Sequence, residues 1–435
     1  MATLLDNLTT QRTHNVFAEM ASETATYDGS TLYRTFYSRD KLGRITQKVE
    51  TIEGIATLID YRYDMAGRLV EVKQDDVVVE AYTYDGNGNR LTAKTENGLV
   101  SGSYDEQDRL VQYGNNTYDY TANGELRRKE SHGEITQYRY DVLGNLRFVR
   151  LPDGKEIEYV IDGRNRRIGK KVNGVLTQSF LYQDSLNPVA ELDGDGNVVA
   201  RFVYGSKANV PDYMLKDGKT YRILSDHLGS PRLVVDISNG SVAQRMDYDA
   251  FGNVVFDSNP GFQPFGFAGG IYDLDIKLTR FGARDYDAQT GRWTVKDPIL
   301  FDGGDTNLFG YVLGDPVNGI SPFGLAGDGE RGATGGSSGQ HSKNKYKHCW
   351  LDPNDPNFII CKHHQTGKRI RKPKPADWDD VKNNNTREIC PIHCQYLVAG
   401  AAIIGGGYFV YRCLRALPSF APPLWWTLPA NLALP

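Results

Sequence analysis

No cysteine occurs in the first 348 residues of this 435-residue chain; all five (Cys349, Cys361, Cys390, Cys394, Cys413) follow. The long first part is therefore held together without disulfides or thiolate metal sites. The N-terminus, MATLLDNLTTQRTHNVFAEM, lacks a basic stretch followed by an apolar core. It does not read as a secretory signal, so export is expected to use another route. Long 3.6-residue apolar periodicity is missing as well, which argues against a helical architecture. A formal net charge of -4 argues against the whole chain binding nucleic acid or a membrane surface. That charge is unevenly spread: after residue 325 there are 14 Lys and Arg against 8 Asp and Glu, a surplus of +6 that leaves -10 for residues 1–325.

What the chain has instead is a repeat. YRYDMAGRLVEV, YTYDGNGNRLTAK, GSYDEQDRLVQY, TYDYTANGELRRK, YRYDVLGNLRFV and the worn copy YVIDGRNRRIGKK follow one another, with their Asp at Asp64, Asp85, Asp105, Asp119, Asp141 and Asp162. Alternating residues such as Tyr61 and Tyr63 before the turn, and Leu69 and Glu71 after it, give period-2 strands. Asp64, Gly67, Gly86, Asn87 and Gly88 supply the turn chemistry. Each copy is expected to be a β-hairpin, and since one hairpin cannot bury its apolar face alone, neighbours must continue as one sheet. The expected class is all-β.

These units resemble the YD-repeat, or rearrangement hot spot (RHS), family, which includes polymorphic toxins and toxin-complex C subunits. YRILSDHLGSPRLVVDISNGSVAQRMDYDAFGN, FGFAGGIYDLDIKLTRFGARDYDAQTGRWTVKDPI and LFGYVLGDPVNGISPFGL are similar to its associated core domain. The resemblance implies hairpins winding as a partial shell or spiral sheet, a core domain closing one end, and a variable C-terminal effector. The resulting division is a lead-in (1–26), a YD-repeat region (27–220), a core domain (221–325), a Gly/Ser-rich linker (326–345) and an effector region (346–435).

In self-cleaving members the core domain is an intramolecular aspartyl protease. The resemblance carries its Arg-Asp motif onto Arg284 and Asp285 and its second acid onto Asp297. Two carboxylates sharing a site do not both ionise, so one acts as general acid while the other activates water and Arg284 tunes the pair. No cofactor is expected for the core. The family cuts after Asp-Pro-x-Gly-Leu; this chain reads Ser321-Pro322-Phe323-Gly324-Leu325, placing the expected cut between Leu325 and Ala326 with a hydroxyl where the family has a carboxylate. Read without the resemblance, the same acids are turn residues facing solvent. Asp226 and His227, beside a Gly-Ser-Pro turn, read as structural.

The tail offers three further candidates. Cys349, Cys361, His363, Cys390 and Cys394 are a loosely spaced zinc set, with disulfides and free thiols as alternatives. Lys368, Arg369, Arg371 and Lys372 lie in KHHQTGKRIRKPKP, a run suited either to phosphate backbones and a nuclease or to a solvated loop. Residues 396–411, YLVAGAAIIGGGYFVY, are sixteen uncharged residues. As a helix they reach about 24 Å, short of the ~30 Å hydrocarbon core. They read as a hydrophobic helix candidate, either buried in the effector or associated with a membrane.

The leading expectation is a toxin component, secreted or delivered to a target cell, with an immunity protein and a secretion or shell partner. Its target is a membrane or nucleic acid. The rival readings are a non-enzymatic cell-surface protein that binds carbohydrate, and an inactive fragment.

Overall fold

The computed structural model describes residues 2–5, 7–325, 349–352, 355–362 and 369–373. The chain forms two units, Met1–Gly335 and Gly336–Pro435, whose boundary falls within the Gly/Ser-rich stretch.

The first unit is built on a 25-stranded antiparallel sheet running from Ala2–Leu5 to Val254–Asp257, in which each strand pairs with the next in sequence. The sheet runs unbroken across residue 220: Lys219–Ser225, Pro231–Asp236, Val242–Tyr248 and Val254–Asp257 continue it. Among the described residues no pairing joins the first strand to the last, so the sheet is not closed. Local chemistry explains the meander. Along one edge the strands turn through pairs such as Asp28-Gly29, Glu53-Gly54, His132-Gly133 and Asn173-Gly174, with positive φ at both residues. That is the type I′ geometry matching the right-handed strand twist.

Along the other edge lie the five-residue Tyr-Asp turns. The Asp105 carboxylate accepts the amides of Gln107 (2.9 Å) and Arg109 (3.0 Å), and Arg109 Nε returns to the same carboxylate (2.6 Å). Asp64 with Arg68, Asp85 with Asn89 and Asp162 with Arg166 repeat the arrangement. The preceding Tyr ties one repeat to another: the hydroxyls of Tyr63, Tyr84, Tyr104 and Tyr182 donate to the carbonyls of Ile45, Leu69, Arg90 and Arg167. Arg68 and Arg166 stack over Tyr84 and Tyr182, at 4.9 and 5.1 Å. One copy departs from the sequence reading. Asp119 lies in the strand Asn116–Tyr120 and pairs with Arg127, while Thr121 heads the turn and receives the Glu125 amide.

The residue five places after Asp40, Asp64, Asp105, Thr121 and Asp141 points inward. Ile45, Leu69, Leu110, Leu126 and Leu146 are all buried there and join Tyr82, Tyr113, Tyr138, Phe251, Leu278 and Val317 in the main core. A second cluster packs Leu8, Ala25, Tyr33 and Ile52 of the early strands against Leu224, Leu233 and Val235 of the late ones, so the sheet curls until its two ends meet face on. Residues beyond 257 run back through the curl. They form the small sheet Ile271–Asp273, Leu278–Phe281, Arg284–Asp287 and Arg292–Trp293, and they contact successive repeats. Asn318 accepts the Ile45 amide (2.7 Å), Asn307 donates to Asn89 (2.8 Å), Leu126 donates to the Thr294 carbonyl (2.9 Å), and Tyr159 donates to Asp273 (2.6 Å).

The second unit has a three-stranded antiparallel sheet, Cys349–Asp352, Asp355–Lys362 and Arg369–Pro373.

Candidate functional site

The candidate site is built on a tight hairpin. Strands Leu278–Phe281 and Arg284–Asp287 pair with Arg280 opposite Asp285 and Phe281 opposite Arg284. The tip, Gly282 and Ala283, is crossed by the expected cut segment: Ala283 donates its amide to the Phe323 carbonyl (2.9 Å). The approach is so close that a Cβ on Gly282 would strike the Phe323 carbonyl, and one on Gly324, whose φ is +60°, would strike that of Phe281. Glycine is required at both crossings.

Arg284, 1% exposed, organises this face. Its Nη2 pairs with Asp297 Oδ2 at 2.7 Å, its Nε donates to the Gly324 carbonyl, its Nη1 donates to the Leu308 carbonyl at 3.3 Å, and its guanidinium lies 4.2 Å from the Trp293 ring centre. Burial pulls Arg284 down to about 10, with Asp297 working the other way. Ser321, buried, donates its hydroxyl to the Leu325 carbonyl, the acyl group of the expected cut. Pro322 lines a cavity of about 30 Å³ together with Arg167, Arg280 and Gly282. Arg284, Asp297, Ser321, Gly324 and Leu325 are thus brought together; Ala326 lies outside the described residues.

Asp285 is not part of that cluster. It follows Arg284 in a strand, where successive side chains point to opposite faces. There Arg167 Nη2 donates to both of its oxygens (2.8 and 3.0 Å) and Arg280 Nη1 adds a third bond (3.0 Å). Each carboxylate has its own arginine partner, so the expected sharing of one proton between Asp285 and Asp297 is not the arrangement here. Arg280 is lowered by its burial, with Asp285 opposing. Burial also lowers Arg167, but Asp285, Tyr159 and Asp273 together outweigh that and raise it.

Sequence reasoning missed Arg167 and Arg280, though a signal for Arg167 was present. It stands in the inward slot after the turn, which Ile45, Leu69, Leu110, Leu126 and Leu146 fill in other copies and which only Arg90 shares as an arginine among these. His227 and Asp226 take structural places. Asp226 accepts the amides of Leu228, Gly229 and Ser230; His227, held down to about 4 by burial, bonds the Val317 carbonyl (2.7 Å) and packs on Tyr37.

In the second unit the register sets Cys349 opposite Cys361 and Lys362 opposite Arg369, with Arg371 and Lys372 on the same strand as Arg369. His363, Lys368, Cys390, Cys394 and residues 396–411 lie outside the described residues. Among the described residues no cluster of three or more His, Cys, Asp or Glu fit to hold a metal occurs, and no helix is long and apolar enough to cross a membrane.

Residues 2–307 match the family profile described as Teneurin YD-shell, and residues 366–435 match that of a toxin with a conserved tryptophan and TIP tripeptide motif. Within the latter the chain reads Trp426-Thr427-Leu428-Pro429. Teneurin-3 of Danio rerio is 31% identical over 304 residues, covering 67% of this chain and 11% of its own length. The tRNA3(Ser)-specific nuclease WapA of Bacillus spizizenii is 30% identical over 274 residues, covering 60% of this chain and 12% of its own length. A solved structure of the Photorhabdus luminescens Tc holotoxin pore aligns over 75% of this chain and 20% of the matched chain, at 15% identity and a TM-score of 0.43. The chain thus spans about a tenth of the curated relatives it matches. With a shell profile over residues 2–307, a toxin profile over residues 366–435 and the Tyr-Asp turns that build the sheet, this chain belongs to the RHS/YD-repeat family as a toxin-type component.

Proposed function

We propose that the first unit is the carrier of a C-terminal toxin and that its core cuts the chain between Leu325 and Ala326 to free it. The observation that carries this reading is the grip on the cut segment. Arg284 joins Asp297 to the Gly324 carbonyl, and Ser321 donates to the carbonyl of Leu325. A hydroxyl donor on an acyl oxygen stabilises the negative charge that develops there when water attacks. Asp297, linked to the Gly324 carbonyl through Arg284, is the group we assign to handle the proton. Asp285, doubly clamped, fixes the hairpin that carries Arg284. The toxin profile begins 41 residues after Leu325, on the released side.

Delivery to a target cell, an immunity protein for the producing cell and a shell-completing partner are parts of the same proposal, motivated by the unclosed sheet and the toxin profile. The test is expression of the full chain followed by intact-mass analysis. Fragments ending at Leu325 and beginning at Ala326, lost in Asp297→Asn, are expected. A single intact chain of 48.6 kDa after prolonged incubation is the result that removes the protease reading.

A further inference from the structure

We infer that Arg167 is a positioning residue for this cleavage, through which the repeat sheet governs when the core can cut; the inference rests on the autoproteolytic reading above. Its basis is a departure from the repeat's own rule. Ile45, Leu69, Leu110, Leu126 and Leu146 fill the inward slot five places after the head of the turn, whereas Arg90 and Arg167 occupy that slot at 6% exposure each. A guanidinium in a buried apolar row carries a large desolvation cost unless partners compensate.

The two arginines are compensated differently. Arg90 lies against the rings of Tyr82, Tyr113 and Phe251 and donates to the Gln289 carbonyl, all uncharged partners. Arg167 instead reaches across to a core carboxylate and bonds both oxygens of Asp285, 118 residues away. Its guanidinium is 3.7 Å from the Tyr159 ring centre, and Tyr159 is fixed by its hydroxyl bond to Asp273, which also pairs with Lys170. The second cation on Asp285, Arg280, is oriented in turn by Asn145 of another repeat (2.7 Å).

Asp285 is therefore held in place by the repeats, and it sits on the hairpin whose tip grips the cut segment. A sheet that has not curled around the core leaves Asp285 without Arg167, and the hairpin without the anchor that sets it against residues 321–325. Cleavage is in this way made contingent on completed winding, so the toxin is not freed from a half-folded carrier.

The test follows the self-cleavage of the full chain over a pH series, with each rate normalised to folded protein measured by thermal melt. Arg167→Leu restores the residue other repeats carry and is expected to fold; its cleavage should fall at least about tenfold, the scale of a small misplacement of reacting groups, with a displaced pH profile. Arg167→Lys, which keeps the charge, should recover most of the rate. Arg90→Gln is the control for a structural role: a lowered melt with the rate of the folded fraction unchanged. A folded Arg167→Leu protein that cleaves at the parental rate and pH profile overturns the inference while leaving the protease reading intact. A parental chain that never cleaves overturns both.

Discussion

Tyr84 donates its hydroxyl proton to the carbonyl of Leu69, one turn earlier, at 2.8 Å, while Arg68 stacks on the same ring at 4.9 Å. Arg68 also donates to the Asp85 carbonyl (2.7 Å) and to Asp64 in its own turn (2.7 Å). The Tyr-Asp pair is therefore a joint: the Asp closes its own turn and the Tyr ties that turn to the one before. Tyr84→Phe leaves the Leu69 carbonyl without this donor and is expected to cost about 1 to 2 kcal/mol. Asp64→Ala removes two amide bonds and the Arg68 anchor and should cost more. Urea unfolding of the two variants checks the order; equal midpoints with the parental chain contradict it.

A second joint titrates. Glu80, on the strand Val77–Tyr84, accepts from the Tyr82 hydroxyl at 2.5 Å and from the Ala250 amide at 3.2 Å. Burial, then the charge of Asp249, pushes Glu80 up to about 7, against the lowering effects of Tyr82, Ala250 and Arg90. A carboxyl raised in the folded state is favoured there in its neutral form. Its contribution is complete below the ordinary value of 4.5 and is lost as pH rises through about 7. The folded state should thus weaken between those limits, by on the order of 3 kcal/mol for this group alone. Glu80→Gln should flatten that part of the stability curve. A variant that keeps the parental slope between pH 5 and pH 7 contradicts the assignment, a window drawn from the same shift.

The sheet was legible because its determinants are local: period-2 strands and turn residues lie within a few positions of one another. Asp119 misled because Tyr-Asp occurs there two residues before the head of the turn, which is set by Thr121 and Gly124. The site was less legible. Twelve residues of separation between Asp285 and Asp297 carry no information about facing; strand alternation sends Arg284 and Asp285 to opposite faces, so Asp297 meets Arg284 while Asp285 meets Arg167 and Arg280. Arg167 was visible only by asking which copies carry a charge in the inward slot, a question that returns Arg90 as well. In the tail, loosely spaced Cys and His, a basic run and an apolar run pointed in three directions, and none of them named the toxin domain matched at residues 366–435.

The tail sheet supplies one redox prediction. Cys349 and Cys361 are direct antiparallel partners, and such residues have Cα atoms roughly 4.5 to 5.5 Å apart, within the span of a disulfide. We propose that they form a cross-strand disulfide under oxidising conditions. Peptide mapping without reduction should recover that pair. Recovery of both as free thiols together with one bound zinc after metal exposure would favour the metal reading.

The last prediction turns on Ser321, which stands where the cut motif this segment resembles has Asp. Ser321 donates to the Leu325 carbonyl, whereas a carboxylate there could donate only when protonated. Ser321→Ala removes the donor from the acyl oxygen without disturbing Arg284 or Asp297, and losing one such donor costs roughly a hundredfold or more in rate. Ser321→Asp installs the Asp that the resembled cut motif has, but it also buries an acid beside the Leu325 carbonyl that must be protonated to donate, so its cleavage should require a lower pH than the parental chain. The two variants separate the roles of the position. If both cut at the parental rate, the hydroxyl only shapes the turn; if Ser321→Ala stalls while Ser321→Asp cuts in acid, the proton on residue 321 is what activates the Leu325 carbonyl.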